Sequence, residues 1–106
     1  MTLAVFIDKI NACLEKAFLD ESWLITTDED EICDIFIVRQ GRIYIDDTLF
    51  THTVEDAVRI KYAIDEVNGR YCIVISFTDG TALEIGNKDE KKYAKTYTVD
   101  GRIELN

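Results

Sequence analysis

Three short turns that end in glycine constrain the fold of this chain most strongly. They are Gln40-Gly41, Asp79-Gly80 and Asp100-Gly101, and each lies between two runs rich in β-branched and aromatic residues. A tight hairpin turn needs positive φ at its central positions, which glycine adopts without steric cost. The pattern therefore predicts three β-hairpins that form an antiparallel sheet.

The runs on either side of these turns are the predicted strands. Apolar residues are continuous at Ile35–Val38 and Cys72–Ile75, which is typical of central strands covered on both faces. Polar and apolar residues alternate in Tyr93–Val99, which predicts a half-exposed strand near an edge, preceded by the charged connection Asn87–Lys95. Trp23–Thr26 is a candidate for one further strand. The three predicted hairpins are Cys33–Arg39 with Arg42–Asp46, Tyr71–Thr78 with Thr81–Ile85, and Tyr93–Val99 with Arg102–Leu105.

Two segments have the apolar spacing of helices. Between residues 3 and 18 the apolar side chains form one stripe about 140° wide, and Thr2 is placed to cap the first free amides. The second segment begins at Thr53, where Asp56 can complete a capping box, and ends before Asn68-Gly69. These elements together predict a single α+β domain over residues 1–106, with the order α-β-ββ-α-ββ-ββ. About six strands would pack against the two helices.

The beginning of the chain and its cysteines point to an intracellular protein. The first 19 residues lack the basic leader and continuous apolar core of a secretion signal, and no window approaches the roughly 18 apolar residues of a membrane span. The three cysteines have neither zinc-ligand spacing nor a disulfide pattern, which indicates buried reduced thiols. We therefore expect a cytoplasmic protein without a membrane partner. The cysteines are Cys13, Cys33 and Cys72.

Acidic residues are concentrated in one window. The chain has 21 acidic and 12 basic residues, and the window from residue 20 to residue 34 contains seven acids and no base. So many like charges cannot share a buried site, so we expect a solvent-facing loop between the first helix and the first hairpin. Such a loop repels phosphates and attracts basic surfaces. The seven acids are Asp20, Glu21, Asp28, Glu29, Asp30, Glu31 and Asp34.

The sequence contains no motif that predicts catalysis, a metal or a cofactor. The acidic stretch lacks the glycine and the final glutamate of an EF-hand, and the glycines are isolated rather than grouped in a phosphate-binding loop. His52 is the single histidine, and no nucleophile is evident beside it. The one basic cluster, Lys88–Lys95, is interrupted by Asp89 and Glu90, so we expect no direct binding of nucleic acid.

These observations favour a small acidic protein-binding module that occupies a basic site on a partner. Its size and charge are similar to those of immunity proteins of nuclease toxins and of phage-encoded inhibitors of bacterial defence nucleases, so the site could be the nucleic-acid channel of such an enzyme. One alternative is an assembly module that pairs through the edge strand Tyr93–Val99, as in a homodimer, and a small enzyme that uses His52 or a carboxylate pair is another. The predicted partner-binding residues are Asp28, Glu29, Asp30, Glu31 and Asp34, with Trp23 and Tyr44 as aromatic anchors.

Overall fold

The chain folds into one α-helix and eight strands within the residues that the computed structural model describes, which are 1–16, 29–33, 36–65, 67–88 and 91–98. A short 3-10 turn, Val54–Asp56, lies between the fourth and fifth strands. The elements are α1 Leu3–Lys16, β1 Glu29–Cys33, β2 Phe36–Arg39, β3 Arg42–Ile45, β4 Thr48–Thr53, β5 Ala57–Asp65, β6 Arg70–Phe77, β7 Thr81–Lys88 and β8 Lys91–Thr98.

The strands form two antiparallel sheets of four, each in sequence order. The first sheet is β1-β2-β3-β4 and the second is β5-β6-β7-β8. The predicted α+β class is confirmed, and the predicted layout of about six antiparallel strands packed against two helices is matched only in part, because the described residues form two sheets and one helix. The continuously apolar strands β2 and β6 lie inside their sheets, as predicted, and β8 is the outermost of the described strands in the second sheet, as the alternation in its sequence indicates.

The second predicted helix is wrong, because Ala57–Asp65 is the strand β5. The sequence of this segment also alternates with a period of two, and its hairpin partner β6 supplies a ladder for its backbone. Asn68-Gly69, predicted to end a helix, instead lies in the hairpin turn, where Gly69 has a φ of 64°. Thr53 and Asp56 still interact, since the Asp56 carboxylate accepts a hydrogen bond from the Thr53 amide at 3.2 Å. They cap the 3-10 turn.

Residues with positive φ form the tight turns of three further hairpins. Gln40 and Gly41 have φ values of 52° and 80°, as the predicted turn requires. The predicted turn at Asp79-Gly80 also joins two strands, with positive φ at Gly80. Sequence analysis missed the turn at Asp46-Asp47, where both residues have positive φ and connect β3 to β4. Aspartate tolerates this conformation, although less readily than glycine.

Other predicted segments differ in detail. The prediction of an acidic loop is wrong for Glu29–Cys33, which forms the strand β1. Most of residues 87–95, predicted as a charged connection, belong to the strands β7 and β8. The predicted strands Trp23–Thr26 and Arg102–Leu105 lie outside the described residues, as does the turn Asp100-Gly101.

The helix and both sheets contribute to one hydrophobic core. The predicted stripe of α1 is buried where it is described, with Phe6 and Ile10 no more than 1% exposed. The first helical turn is capped as predicted, since the Val5 amide donates to the Thr2 hydroxyl at 3.3 Å. Alternate residues of β2, β6 and β7 complete this core. The opposite face of the second sheet carries most of the charged residues of its strands.

Candidate functional site

The acidic run belongs to the first sheet where the structure describes it. Glu29, Asp30 and Glu31 lie in β1, which pairs with β2 and has no second neighbour among the described strands. We term Glu29–Cys33 the acidic edge. The remaining predicted contact residues of this run, and one aromatic anchor, lie outside the described residues, so their roles stay predictions. They are Asp28, Asp34 and Trp23.

Tyr44 lies in the same cross-strand row as the acidic edge. In antiparallel register Glu31 is opposite Ile37, Ile37 is opposite Tyr44, and Tyr44 is opposite Leu49. Tyr44 is half-buried, and the guanidinium carbon of Arg39 lies 5.5 Å from its ring centroid. Leu49 is 49% exposed. The row therefore leads from Glu31 of the acidic edge, past the buried Ile37 and the half-buried Tyr44, to the exposed Leu49, and such a mixture of aromatic and apolar residues beside an acid is found in protein-binding patches.

The second sheet gathers most of the positive charge of this acidic chain. Its four strands contain seven of the twelve basic residues and only two of the 21 acidic residues. All seven basic side chains are exposed. The strands of this sheet are therefore net positive in a chain with a total charge of −9, while four further acids, Glu66, Asp79, Asp89 and Glu90, lie between these strands in the sequence. The seven basic residues are Arg59, Lys61, Arg70, Lys88, Lys91, Lys92 and Lys95.

Strand register places six of these seven basic residues on one face. The other face, which bears Ile73, Ile75, Leu83 and Ile85, packs into the core. The side turned away from the core carries the six cations and both acids, Asp65 and Glu84. We term this side the cationic face. Across the four strands it is formed by Arg59, Lys61, Ala63, Asp65, Arg70, Cys72, Val74, Ser76, Ala82, Glu84, Gly86, Lys88, Lys91, Tyr93, Lys95 and Tyr97.

A buried carboxylate lies at the centre of the cationic face. Glu84 is 3% exposed and is the single buried charged residue among the side chains that the structure describes. Its Oε2 accepts a hydrogen bond from the Tyr93 hydroxyl at 2.6 Å, and its Oε1 accepts one from the Tyr97 hydroxyl at 2.9 Å. The Lys95 ammonium lies 3.7 Å from Oε2. These three partners compensate the cost of burying the charge.

The tyrosine rings lie across the neighbouring strand to reach Glu84. A Cβ atom built on Gly86 would lie 2.8 Å from the Tyr93 hydroxyl oxygen and 2.9 Å from Cζ, so the end of this ring occupies the space above the glycine. Burial and the bond to Glu84 raise the pKa of both Tyr93 and Tyr97 far above the ordinary value. Burial, followed by the charge of Glu84, also raises the pKa of the half-buried Cys72 thiol. All three groups therefore stay protonated at neutral pH.

His52 is held by a separate set of contacts between the sheets. Its Nε2 lies 2.7 Å from the Asp79 carboxylate and its Nδ1 lies 2.9 Å from the Thr51 hydroxyl. The ring packs against Phe77 and Phe50, with centroid distances of 4.8 and 5.3 Å. Hydrogen bonds from Thr81, with a further contribution from His52, lower the pKa of Asp79 to about 2. Both ring nitrogens are engaged, so this geometry links β4 to the turn at Asp79-Gly80.

The part of the chain that the structure describes contains no group of three or more His, Cys, Asp or Glu residues placed to hold a metal ion. No helix in the described ranges has the length and apolar character that a bilayer-crossing helix needs.

Comparison with protein-family models, curated proteins and solved structures finds no match to this chain. The function is therefore inferred from the geometry and charge of the acidic edge and the cationic face.

Proposed function

We infer that this protein is a small binding module whose acidic segment occupies a basic site on a partner protein. The observation that supports the proposal is the run of seven acids without a base over residues 20–34. This run includes the acidic edge of the first sheet. Tyr44 and Leu49 lie in the same cross-strand row and would supply apolar contact beside the carboxylates. An interface of this kind combines charge steering with an aromatic anchor.

The partner that best suits this surface is a nuclease or another enzyme that binds nucleic acid. Carboxylates along an edge strand can occupy the positions of phosphates and pair with arginine and lysine in the channel of the enzyme. Attraction between opposite charges would raise the association rate and make binding sensitive to salt. The protein would act as an inhibitor or immunity protein, by occupancy and without catalysis.

The contacts of His52 support a structural role over a catalytic one. Nε2 lies 2.7 Å from the Asp79 carboxylate and Nδ1 lies 2.9 Å from the Thr51 hydroxyl, so both ring nitrogens have partners within the protein. A general base needs a free lone pair directed at its substrate. Neither ring nitrogen is free for that role in this geometry.

The test is capture of partners from the host with matched charge variants. The test variant neutralises four of the acids between residues 20 and 34. The control variant neutralises four exposed acids elsewhere, so both variants have the same net charge. We expect the wild-type protein and the control to retain a basic partner at about 0.05 M salt and to lose it at about 0.5 M. The test variant should bind at least about tenfold more weakly. The test changes are Asp28→Asn, Glu29→Gln, Asp30→Asn and Glu31→Gln; the control changes are Asp8→Asn, Asp46→Asn, Asp47→Asn and Glu55→Gln.

Equal capture by the test and control variants at low salt would contradict the proposal. A positive result is completed by purifying the captured protein and measuring its enzymatic activity with increasing amounts of each variant. The acidic-segment variant should inhibit at correspondingly higher concentrations than the control.

Assembly through β8 is the second candidate function, because β8 is the last of the described strands of the second sheet. An outer strand of a sheet can pair with a strand of another copy through its backbone groups. However, Lys91, Lys92 and Lys95 lie along β8, and edge lysines oppose such pairing. An assembly module of this type would form a defined oligomer by itself, with little change between low and high salt.

A further inference from the structure

The cationic face has a net positive charge although the chain as a whole is acidic. It carries six exposed lysine or arginine side chains against Asp65 and the buried Glu84. The Glu84 carboxylate is turned into a cluster of two hydroxyl donors and one ammonium, so its charge is already compensated. Lys95 supplies that ammonium and also lies 5.9 Å from the centroids of the Tyr93 and Tyr97 rings, so an approaching anion meets five other exposed cations.

Two tyrosine rings lie among these cations. Tyr93 and Tyr97 are both half-buried, and their hydroxyls converge on the two oxygens of Glu84. The end of the Tyr93 ring lies over Gly86, and Tyr97 is paired across the strands with Ala82, which is fully buried. Small residues below the rings thus let them lie along the sheet. Hydrogen bonds to a buried carboxylate fix both rings before any ligand binds.

A groove continues this surface at the end of the sheet. It has a volume of about 290 Å³ and is lined in part by Arg70, Cys72, Lys88 and Tyr93. Its size is close to the lower end for small-ligand pockets, and two of its lining residues are cationic. A planar, partly anionic group could therefore enter beside the Tyr93 ring.

We propose that the cationic face binds single-stranded nucleic acid. Exposed bases stack on aromatic rings that are presented on a sheet, while surrounding cations neutralise the phosphates. All six cations lie at the rim of the face or on β5 and β8, the outermost of the described strands, so they can follow a nucleic-acid strand laid across it. A duplex hides its bases from the rings, and a flat sheet face does not enter its grooves.

An acidic protein is a poorer fit to the same face. Carboxylates are recognised best by the planar fork of arginine, and four of the six cations here are lysines, which act as point charges toward phosphate. The expectation of no nucleic-acid binding rested on the interrupted cluster at residues 88–95 and on the net charge of −9, which opposes the long-range approach of a polyanion. Strand register adds Arg59, Lys61 and Arg70 to the same side of the sheet. The proposal therefore replaces that expectation, and it does not rest on the acidic edge.

The first arm of the test measures affinity for labelled oligonucleotides of about 16 nucleotides, as RNA and as DNA, by fluorescence anisotropy. A face variant removes three exposed cations that make none of the contacts to Glu84. A control variant removes three exposed cations from α1 and the first sheet, so the face variant and the control variant have the same net charge. The face changes are Arg59→Gln, Lys61→Gln and Lys91→Gln; the control changes are Lys9→Gln, Arg39→Gln and Arg42→Gln.

The salt dependence gives a quantitative expectation. For a single strand the slope of log K against log salt changes by about 0.7 for each phosphate contact, so the face variant should lose about 2 from the slope. The control should keep the wild-type slope. Equal slopes for the two variants, or no binding of either oligonucleotide at about 0.05 M salt, would overturn the proposal.

The second arm identifies the class of ligand on the unaltered protein. Amide chemical shifts should change mainly in β6, β7 and β8 when the oligonucleotide is added, and Tyr97→Leu should weaken binding about 5- to 150-fold through lost stacking. Binding of duplex DNA or of polyglutamate as tight as that of the single strand would contradict a role for unpaired bases. A preference for RNA or for DNA identifies which polynucleotide the face favours and supports the proposal in either case.

Discussion

The buried cluster at Glu84 gives the sharpest test of the structure. In Tyr93→Phe the ring is kept and the hydroxyl that donates to Oε2 at 2.6 Å is lost. The carboxylate then keeps the Lys95 ammonium, which lies 3.7 Å from Oε2 and so beyond hydrogen-bond distance, and the weak donor Cys72. A hydrogen bond to a charged group contributes about 1.5 to 3 kcal/mol, and a buried acceptor left unsatisfied costs a similar amount. We therefore expect Tyr93→Phe to lower the free energy of unfolding by about 2 kcal/mol.

Urea denaturation followed by far-ultraviolet circular dichroism measures this loss. The m value should stay unchanged, and the thermal midpoint should fall by about 10 °C for a chain of this size. Tyr44→Phe is the matched control in the other sheet and should change stability by less than about 0.5 kcal/mol. In a Glu84→Gln background, Tyr93→Phe should cost at least about 1 kcal/mol less, because the buried charge is gone. If Tyr93→Phe is no more costly than Tyr44→Phe, the buried carboxylate does not depend on this hydroxyl.

Three further predictions concern the same elements. Gly86→Ala places a Cβ 2.7 Å from the Tyr71 carbonyl oxygen and against the Tyr93 ring, so it should destabilise the protein by about 1 to 3 kcal/mol in urea denaturation; a neutral effect would contradict the position of the ring. The pKa of Asp79 is lowered from 3.8 to about 2, so it contributes stability that is present above about pH 4 and is lost as the pH falls toward 2. Asp79→Asn should flatten the fall in thermal midpoint over this range, and an unchanged acid limb would refute the assignment. The pKa of Tyr93 and of Tyr97 is raised above 10.0 in the folded state, so stability should fall as the pH rises above about 10, where tyrosines of the unfolded chain ionise first. The double change to phenylalanine should reduce this alkaline slope, measured by urea denaturation at several pH values, and an identical slope would contradict it.

The error at residues 54–67 shows where local patterns fail. Val54, Ala57, Ile60, Ile64 and Val67 have helical spacing, and they gave the predicted helix its apolar face. In the structure Val67 is 93% exposed in a hairpin turn, so that face is not buried as a unit. The apolar residues of this segment fit the period of two of a strand as well as the period of a helix. Pairing with β6 then stabilises the strand. Local sequence cannot weigh a partner strand against helix propensity.

The hairpins were more predictable than the charge distribution. Gln40-Gly41 and Asp79-Gly80 determine their turns locally, so the sequence alone was sufficient for them. The cationic face depends on which residues meet across four strands. Arg59 and Tyr97 lie in one row although 38 positions separate them in the sequence. The signal that could have indicated this face is the alternation of tyrosine and lysine in β8.

The central claim is that a net-acidic chain separates its charge into an acidic edge and a cationic face. The most direct measurement compares the paramagnetic relaxation of backbone amides by two small nitroxide probes that differ only in the sign of their charge. Amides of β5 to β8 should be relaxed more strongly by the anionic probe, and those of Glu29–Cys33 more strongly by the cationic probe. A stronger effect of the cationic probe along both sheets would contradict the claim.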